Sequence, residues 1–136
     1  MTISSKNTDL GPVRLLLIDD EKDFVNILAK RFKHRNIDVT KAFSGTEAIQ
    51  ALRENEFDVA VLDLKMEDMD GIEVLKIFKI MDPRLAVIML TGHGSAESAE
   101  QGLKLGAFDY LSKPCEMEEL LKKIESAHVH RKQFDA

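Results

Sequence analysis

Three acidic residues and one lysine in this 136-residue chain follow three separate apolar runs. Asp19 and Asp20 follow VRLLLI, Asp63 follows FDVAVL, and Lys113 comes just after FDYLS. Short apolar runs bounded by polar or turn residues are typical of buried strands in a parallel sheet. In an open α/β sheet, ligands bind beyond the carboxyl ends of the strands. We therefore expect the three carboxylates and the ammonium group to meet at one small site.

The chemistry of such a site follows from the repulsion between its carboxylates. Two like charges about 4 Å apart repel by roughly 1 kcal/mol in water and by several times more near a protein surface. A divalent metal ion and the ammonium group of Lys113 are the positive charges that would neutralise the cluster. The four side chains therefore predict a site where a divalent cation lies beside a lysine.

The residues between these positions predict the elements that must hold them. Short apolar runs predict strands at Val13–Ile18, Ile37–Ala42, Phe57–Leu62, Leu85–Leu90 and Phe108–Leu111. Amphipathic spacing and polar capping residues predict helices that start near Lys22, Ser44, Asp70, Ser95 and Glu116. We expect the first helix to end at about Arg35, and the last to carry His128 and His130 as cations near its end. Five strands alternating with five helices indicate a doubly wound α/β domain.

Composition and charge argue against several classes of protein. The chain is 44% apolar and 32% charged, and at this length it predicts one domain with a substantial core. The formal net charge is −5 and no long basic block is present, which argues against nucleic-acid binding. No apolar run is long enough for a membrane span, and the polar start lacks the apolar segment of a signal peptide. These features predict a cytoplasmic protein without a membrane partner.

Four motifs occur in order along the chain, each after a predicted strand. They are IDDE, DLKMEDMDG around Asp63, TGHG, and DYLSKP. Together they resemble the response-regulator receiver domains of two-component signalling, and the resemblance covers nearly the whole chain. It implies a flavodoxin-like fold, with five parallel strands in the order 2-1-3-4-5. It also implies a receiver domain over residues 12–130, between an N-terminal tail at 1–11 and a C-terminal tail at 131–136.

The resemblance gives roles to the residues of the acidic cluster. Asp63 would be the phosphoacceptor, a carboxylate nucleophile that takes a phosphoryl group. Asp19, Asp20, Asp63 and the backbone carbonyl of Lys65 would bind Mg²⁺, which prefers hard oxygen ligands. Lys113 would pair with the phosphoryl group. No further cofactor is implied.

A second pair of residues would transmit the state of the site. The resemblance implies that the Thr91 hydroxyl turns towards the phosphoryl oxygens and that Tyr110 moves inward when it does so. The surface from Ser95 to Leu121 would then report the change. The phosphodonor would be a histidine kinase or a phosphotransfer protein, and the output would be a downstream protein or a separate output domain. A homodimer is also compatible with the resemblance.

Two other functions are compatible with parts of the pattern. A phosphatase or phosphotransferase could use an aspartyl-phosphate intermediate, but haloacid dehalogenase-like enzymes typically need a second Asp where this chain has Lys65. We therefore expect only self-phosphorylation and self-dephosphorylation at Asp63, and no enzyme activity on other substrates. A degenerate receiver could act as a phosphorylation-independent binding module, although all the expected positions are filled. A dinucleotide site is disfavoured because no GxGxxG motif follows the first strand.

The sequence departs from the family pattern beside the acceptor. Many receivers carry proline where this chain has Glu67, so we expect a looser loop after Asp63. Lys65 lies two residues after Asp63 and His93 lies two residues after Thr91, so we expect them on opposite sides of the phosphoryl position. We expect these two side chains to tune the lifetime of the phosphoryl group.

Overall fold

The computed structural model describes residues 11–92 and 96–133. Five parallel strands form one sheet in the order β2-β1-β3-β4-β5, so the predicted fold and strand order are confirmed. The strands are β1 Val13–Ile18, β2 Ile37–Ala42, β3 Val59–Asp63, β4 Ala86–Thr91 and β5 Asp109–Ser112. The helices are α1 Lys22–Phe32, α2 Gly45–Glu54, α3 Gly71–Met81, α4 Ala96–Lys104 and α5 Met117–Gln133.

The apolar runs of the inner strands are explained by helices that cover both faces of the sheet. Successive side chains of a strand point to opposite faces. Leu15 and Leu17 of β1 belong to a core shared with α1 and α5, whereas Leu16 and Ile18 belong to a second core shared with α2 and α3. All residues of β3 and β4 are buried. Polar side chains that do chemistry are therefore expected at the strand ends.

The register of the sheet aligns the carboxyl ends of the strands that carry the acidic motifs. Ile18 at the end of β1 pairs with Leu62, so Asp19 and Asp63 follow paired positions. Asp63 in turn pairs with Leu90, one residue before Thr91. The register places these residues along one edge of the sheet.

Two helix starts have the predicted caps. The side chain of Ser44 accepts a hydrogen bond from the backbone N–H of Glu47, at 3.1 Å. The Glu47 carboxylate accepts from the N–H of Phe43, one residue earlier than in a capping box. At the start of α3, Asp70 accepts from the N–H of Ile72 at 2.9 Å. These caps fix the starting points of the two helices that cover one face of the sheet.

Some helix limits differ from those expected. Helix α1 ends at Phe32 and continues as a single 3₁₀ turn, Lys33–Arg35, before Asn36 in the left-handed conformation (φ 61°). Asn tolerates this conformation better than most residues. Helix α5 continues to Gln133, past the expected boundary at residue 130. Ser95, the predicted start of the fourth helix, lies outside the described residues.

Within the described part of the chain, none of the helices combines the length and apolar character that a membrane span needs.

A buried aspartate lies at the opposite, amino end of the sheet. Asp58, directly before β3, accepts hydrogen bonds from Arg14 of β1: from its N–H at 2.9 Å, its Nε at 3.2 Å and its Nη2 at 2.9 Å. Two groups of α5 also approach this carboxylate, His128 Nε2 at 3.8 Å and Lys132 Nζ at 3.9 Å. Asp58 thus joins β1, β3 and the last helix.

Candidate functional site

The structure brings together the three aspartates that the sequence pointed to. Carboxylate oxygens of Asp19, Asp20 and Asp63 lie within 4.8 Å of one another. Asp19 and Asp63 are buried, and Asp20 is half-buried. The backbone N–H of Asp19 donates to the carbonyl of Ala42, so the β1–β2 ladder positions the first of these acids.

Lys113 reaches the cluster from the segment after β5. Its Nζ lies 2.8 Å from Asp19 Oδ2, 2.7 Å from Glu21 Oε1 and 3.9 Å from Asp63 Oδ2. The ammonium group also lies 4.7 Å from the centroid of the Phe24 ring. The Lys113–Pro114 peptide bond is cis.

The charges around Lys113 act on its pKa in opposite directions. Burial alone would lower the pKa of Lys113, but the hydrogen bonds to Asp19 and Glu21 and the nearby charge of Asp63 raise it above its usual value. The ammonium group is therefore charged at neutral pH. Glu21 was not identified from the sequence as a site residue. Its position as the last residue of the IDDE motif, directly after the two aspartates, was the one feature of the sequence that could have indicated it.

The pKa of Asp63 is raised to about 6. Burial of its carboxyl group is the main cause, followed by the neighbouring charge of Asp19. A hydrogen bond from the Lys65 N–H, at 3.2 Å, and the charge of Lys113 oppose the increase. In this environment the negative charge of Asp63 is only partly compensated.

These residues fit a hard divalent cation. The three carboxylates supply oxygen ligands of the type that Mg²⁺ requires, and their separation lets them share one ion. Burial and the neighbouring charge of Asp19 both raise the pKa of Asp63, and a bound cation would oppose both effects. A metal-binding role for the Lys65 carbonyl stays a prediction, since the structure assigns only the N–H of that residue to the site.

Thr91 and Tyr110 lie on neighbouring strands, β4 and β5. Thr91 is buried, and its hydroxyl donates to the carbonyl of Leu111 at 3.4 Å. The Tyr110 residue is 41% exposed, so its ring lies largely outside the core. Among the described residues, Thr91 and Tyr110 donate to Leu111 and Asp109 rather than to the three clustered aspartates. Their roles as a switch stay predictions, and His93 lies outside the described residues.

The loop after Asp63 is tied down by contacts that the sequence did not reveal. Asp68 accepts hydrogen bonds from the N–H groups of Gly45 and Thr46, at 2.9 and 3.1 Å, and from the Thr46 hydroxyl at 3.0 Å. The N–H of Glu67, at the position where a looser loop was expected, donates to Asp20 at 3.3 Å. The loop is thus attached both to the start of α2 and to the acidic cluster.

Removal of the Asp68 carboxylate should loosen this loop. We expect Asp68→Ala to lower the free energy of unfolding by about 1 kcal/mol, the usual cost of losing a helix cap. The hydrogen bond from Gly45 is the main cause of the lowered pKa of Asp68, so the difference should shrink as the pH falls below about 4. Urea unfolding would measure both effects. Asp68→Asn, which keeps an acceptor oxygen, should lose less, and equal losses would contradict the capping role.

The fold and the acidic edge define the class to which the protein belongs: a doubly wound α/β domain with a carboxylate and lysine site at the ends of its parallel strands. Residues 15–125 match the family model described as "Response regulator receiver domain". The chain therefore belongs to the response regulator receiver domain family.

Similar proteins come from several bacteria. The chain is 34% identical over 126 residues to the transcriptional regulatory protein ZraR of Salmonella typhimurium, an alignment that covers 93% of this chain and 29% of that protein. It is 33% identical over 116 residues to the transcriptional regulatory protein GlrR of Escherichia coli, an alignment that covers 85% of this chain and 26% of that protein. The crystal structure of a response regulator receiver domain protein from Clostridium thermocellum matches with a TM-score of 0.86 at 34% identity. The match covers 90% of this chain and 98% of that protein. The chain spans less than a third of the length of these curated relatives.

Proposed function

We propose that the protein is a phosphorylation-dependent switch of a two-component system that accepts a phosphoryl group on Asp63. The observation that carries this proposal is the buried Asp63 carboxylate beside two other acids and within 3.9 Å of the Lys113 ammonium group. Phosphoryl transfer requires in-line positioning and neutralisation of negative charge that is spread over the phosphoryl oxygens. Fixed positive groups around a buried carboxylate provide that neutralisation.

The residues of the site divide the reaction between them. A carboxylate oxygen of Asp63 would attack the phosphorus of a phosphohistidine, while the P–N bond breaks and the imidazole leaves with the electron pair. Asp19, Asp20 and Asp63 would hold Mg²⁺, which supplies positive charge to the transferring oxygens when it is bound. Lys113 would supply the second positive charge. Two of its three N–H donors bind Asp19 and Glu21 in this structure, and the ammonium group would move towards Asp63 to reach a phosphoryl oxygen.

The same site would drive the change of state. Phosphoryl oxygens are charged acceptors, and a hydrogen bond to a charged acceptor is roughly twice as strong as a neutral one. The Thr91 hydroxyl would leave the carbonyl of Leu111 for such an oxygen, and Tyr110 could then move into the core. The surface formed by α4, β5 and α5 would display the change to a partner.

The proposal includes the partners of the switch. A histidine kinase or a phosphotransfer protein would supply the phosphoryl group, in the cytoplasm. Relatives of this chain are named transcriptional regulators and are more than three times its length, so an output domain or a separate downstream protein would receive the signal. This chain itself would bind no nucleic acid and would act on no substrate other than its own Asp63.

Intact mass measurement after incubation with acetyl phosphate and Mg²⁺ tests the proposal. We expect the mass to increase by one phosphoryl group, and we expect no increase when the metal is removed by a chelator. Asp63→Asn is the matched control, because it keeps the size of the side chain and removes the nucleophile. A folded wild-type protein that gains no phosphoryl group, even with a rapid quench, would instead indicate a receiver that acts by binding alone.

A further inference from the structure

The side chain of Glu21 binds the same ammonium group that the proposed reaction needs. Its Oε1 lies 2.7 Å from Lys113 Nζ, closer than the 2.8 Å contact of Asp19 Oδ2. Glu21 stands directly before α1, and its N–H donates to Asp19 Oδ1 at 3.0 Å. The backbone that carries this carboxylate is therefore fixed to the acidic cluster itself.

The contacts of Lys113 place its ammonium group on the α1 side of the site. Glu21 precedes α1 and Phe24 belongs to it, and both lie against the ammonium group. The distance from Nζ to Asp63 Oδ2, 3.9 Å, exceeds the distances to Asp19 and Glu21 by more than an ångström. In this arrangement the ammonium group is hydrogen-bonded to two acids but not to the acceptor.

We propose that Glu21 is a positioning residue that holds Lys113 away from Asp63 and thereby slows phosphorylation. The inference rests on the function proposed above, in which Lys113 neutralises the incoming phosphoryl group. To do so, the ammonium group must shift towards Asp63, and the contact with Glu21 must lengthen or break. The Glu21 side chain is 64% exposed, so water screens the ion pair and the restraint is weak enough to be released in every reaction cycle.

Glu21→Gln tests the restraint by removing the charge and keeping the size of the side chain. We expect the rate constant for phosphorylation by acetyl phosphate with Mg²⁺ to rise about twofold to fivefold, the range that an exposed ion pair allows. Glu21→Asp keeps the charge but shortens the reach towards Lys113, so it should also be faster than wild type. Glu73→Gln is the matched control, since Glu73 is an exposed acid paired with a lysine at 3.3 Å on α3. This control should be phosphorylated at the wild-type rate.

A second measurement follows the restraint without phosphorylation. An ammonium group held by two carboxylates exchanges its protons slowly, so the side-chain ¹⁵N–¹H signal of Lys113 should be visible by NMR in the wild type. In Glu21→Gln the signal should shift or be lost, whereas in Glu73→Gln it should stay unchanged. A signal that is the same in all three proteins would show that Glu21 does not hold Lys113.

The kinetic outcomes separate the two proposals. A wild-type protein that is never phosphorylated overturns the proposed function, and NMR still decides whether Glu21 holds the lysine. If the wild type is phosphorylated and Glu21→Gln is no faster, the inference is wrong. A faster Glu21→Gln together with a wild-type rate for Glu21→Asp would attribute the effect to charge repulsion of the donor, which also overturns the positioning role.

Discussion

Asp63→Asn is expected to raise the free energy of unfolding of the metal-free protein by about 3 kcal/mol at about pH 7.5. Folding raises the pKa of Asp63 from 3.8 to about 6, mainly by burial and then by the charge of Asp19. The native state therefore binds more protons than the unfolded state between these values, and the wild type loses stability as the pH rises from about 4 to about 6. Asparagine avoids this cost because it carries no charge.

Asp58→Asn is the matched comparison, and its effect should have the opposite sign. Burial alone would raise the pKa of Asp58, but the hydrogen bonds from Arg14 lower it. The ionised group thus stabilises the fold above the usual pKa of an aspartate, and this contribution is lost as the pH falls through the lowered value. Losing a hydrogen-bonded charge should cost about 1.5–3 kcal/mol near neutral pH.

Urea unfolding of the three proteins with a chelator, at about pH 5 and about pH 7.5, measures both predictions. The gain from Asp63→Asn should be larger at the higher pH, because the wild-type carboxyl group is then ionised. If both substitutions lowered the stability to a similar extent, the uncompensated charge assigned to Asp63 would be wrong.

Lys113→Ala is expected to slow phosphorylation of Asp63 by about 10²–10³-fold, the usual effect of removing one fixed group that stabilises transition-state charge. The Lys113 ammonium group lies 2.8 Å from Asp19 Oδ2 and 3.9 Å from Asp63 Oδ2. Alanine would leave this position without a positive charge. The measurement is the rate at which the phosphorylated mass appears with acetyl phosphate and Mg²⁺. Lys76→Ala, at an exposed lysine of α3, should react at the wild-type rate. A Lys113 variant that reacts as fast as this control would remove Lys113 from the mechanism.

The meeting of the acidic residues and Lys113 could be predicted from the sequence. Each follows an apolar run, and parallel strands must end at a common edge when their runs are buried on both faces. The burial of β3 and β4 and the register of β1 with β3 satisfy that condition. Turn and cap chemistry also marked the starts of α2 and α3, because the residue types that satisfy free N–H groups are few.

Contacts that depend on the reach of a side chain could not be predicted in this way. Asp68 contacts the start of α2 from the loop after β3, and Glu21 contacts Lys113 across 92 positions of sequence. No spacing rule relates such residues. His128, expected to be a helix-end cation, is instead buried, and burial lowers its pKa. That expectation was wrong because the last helix continues beyond it, with Arg131 also buried.

The position of Asp58 affects how freely the protein can evolve. Its hydrogen bonds with Arg14 lie at the amino end of the sheet, whereas the acceptor lies at the carboxyl end. Proteins tolerate new substitutions only while enough stability remains, and functional sites commonly reduce it. Here a hydrogen-bonded network is separated from the residues of the proposed phosphorylation site. We therefore expect that exposed residues beside Asp63, such as Lys65 and Glu67, can be replaced without losing the fold.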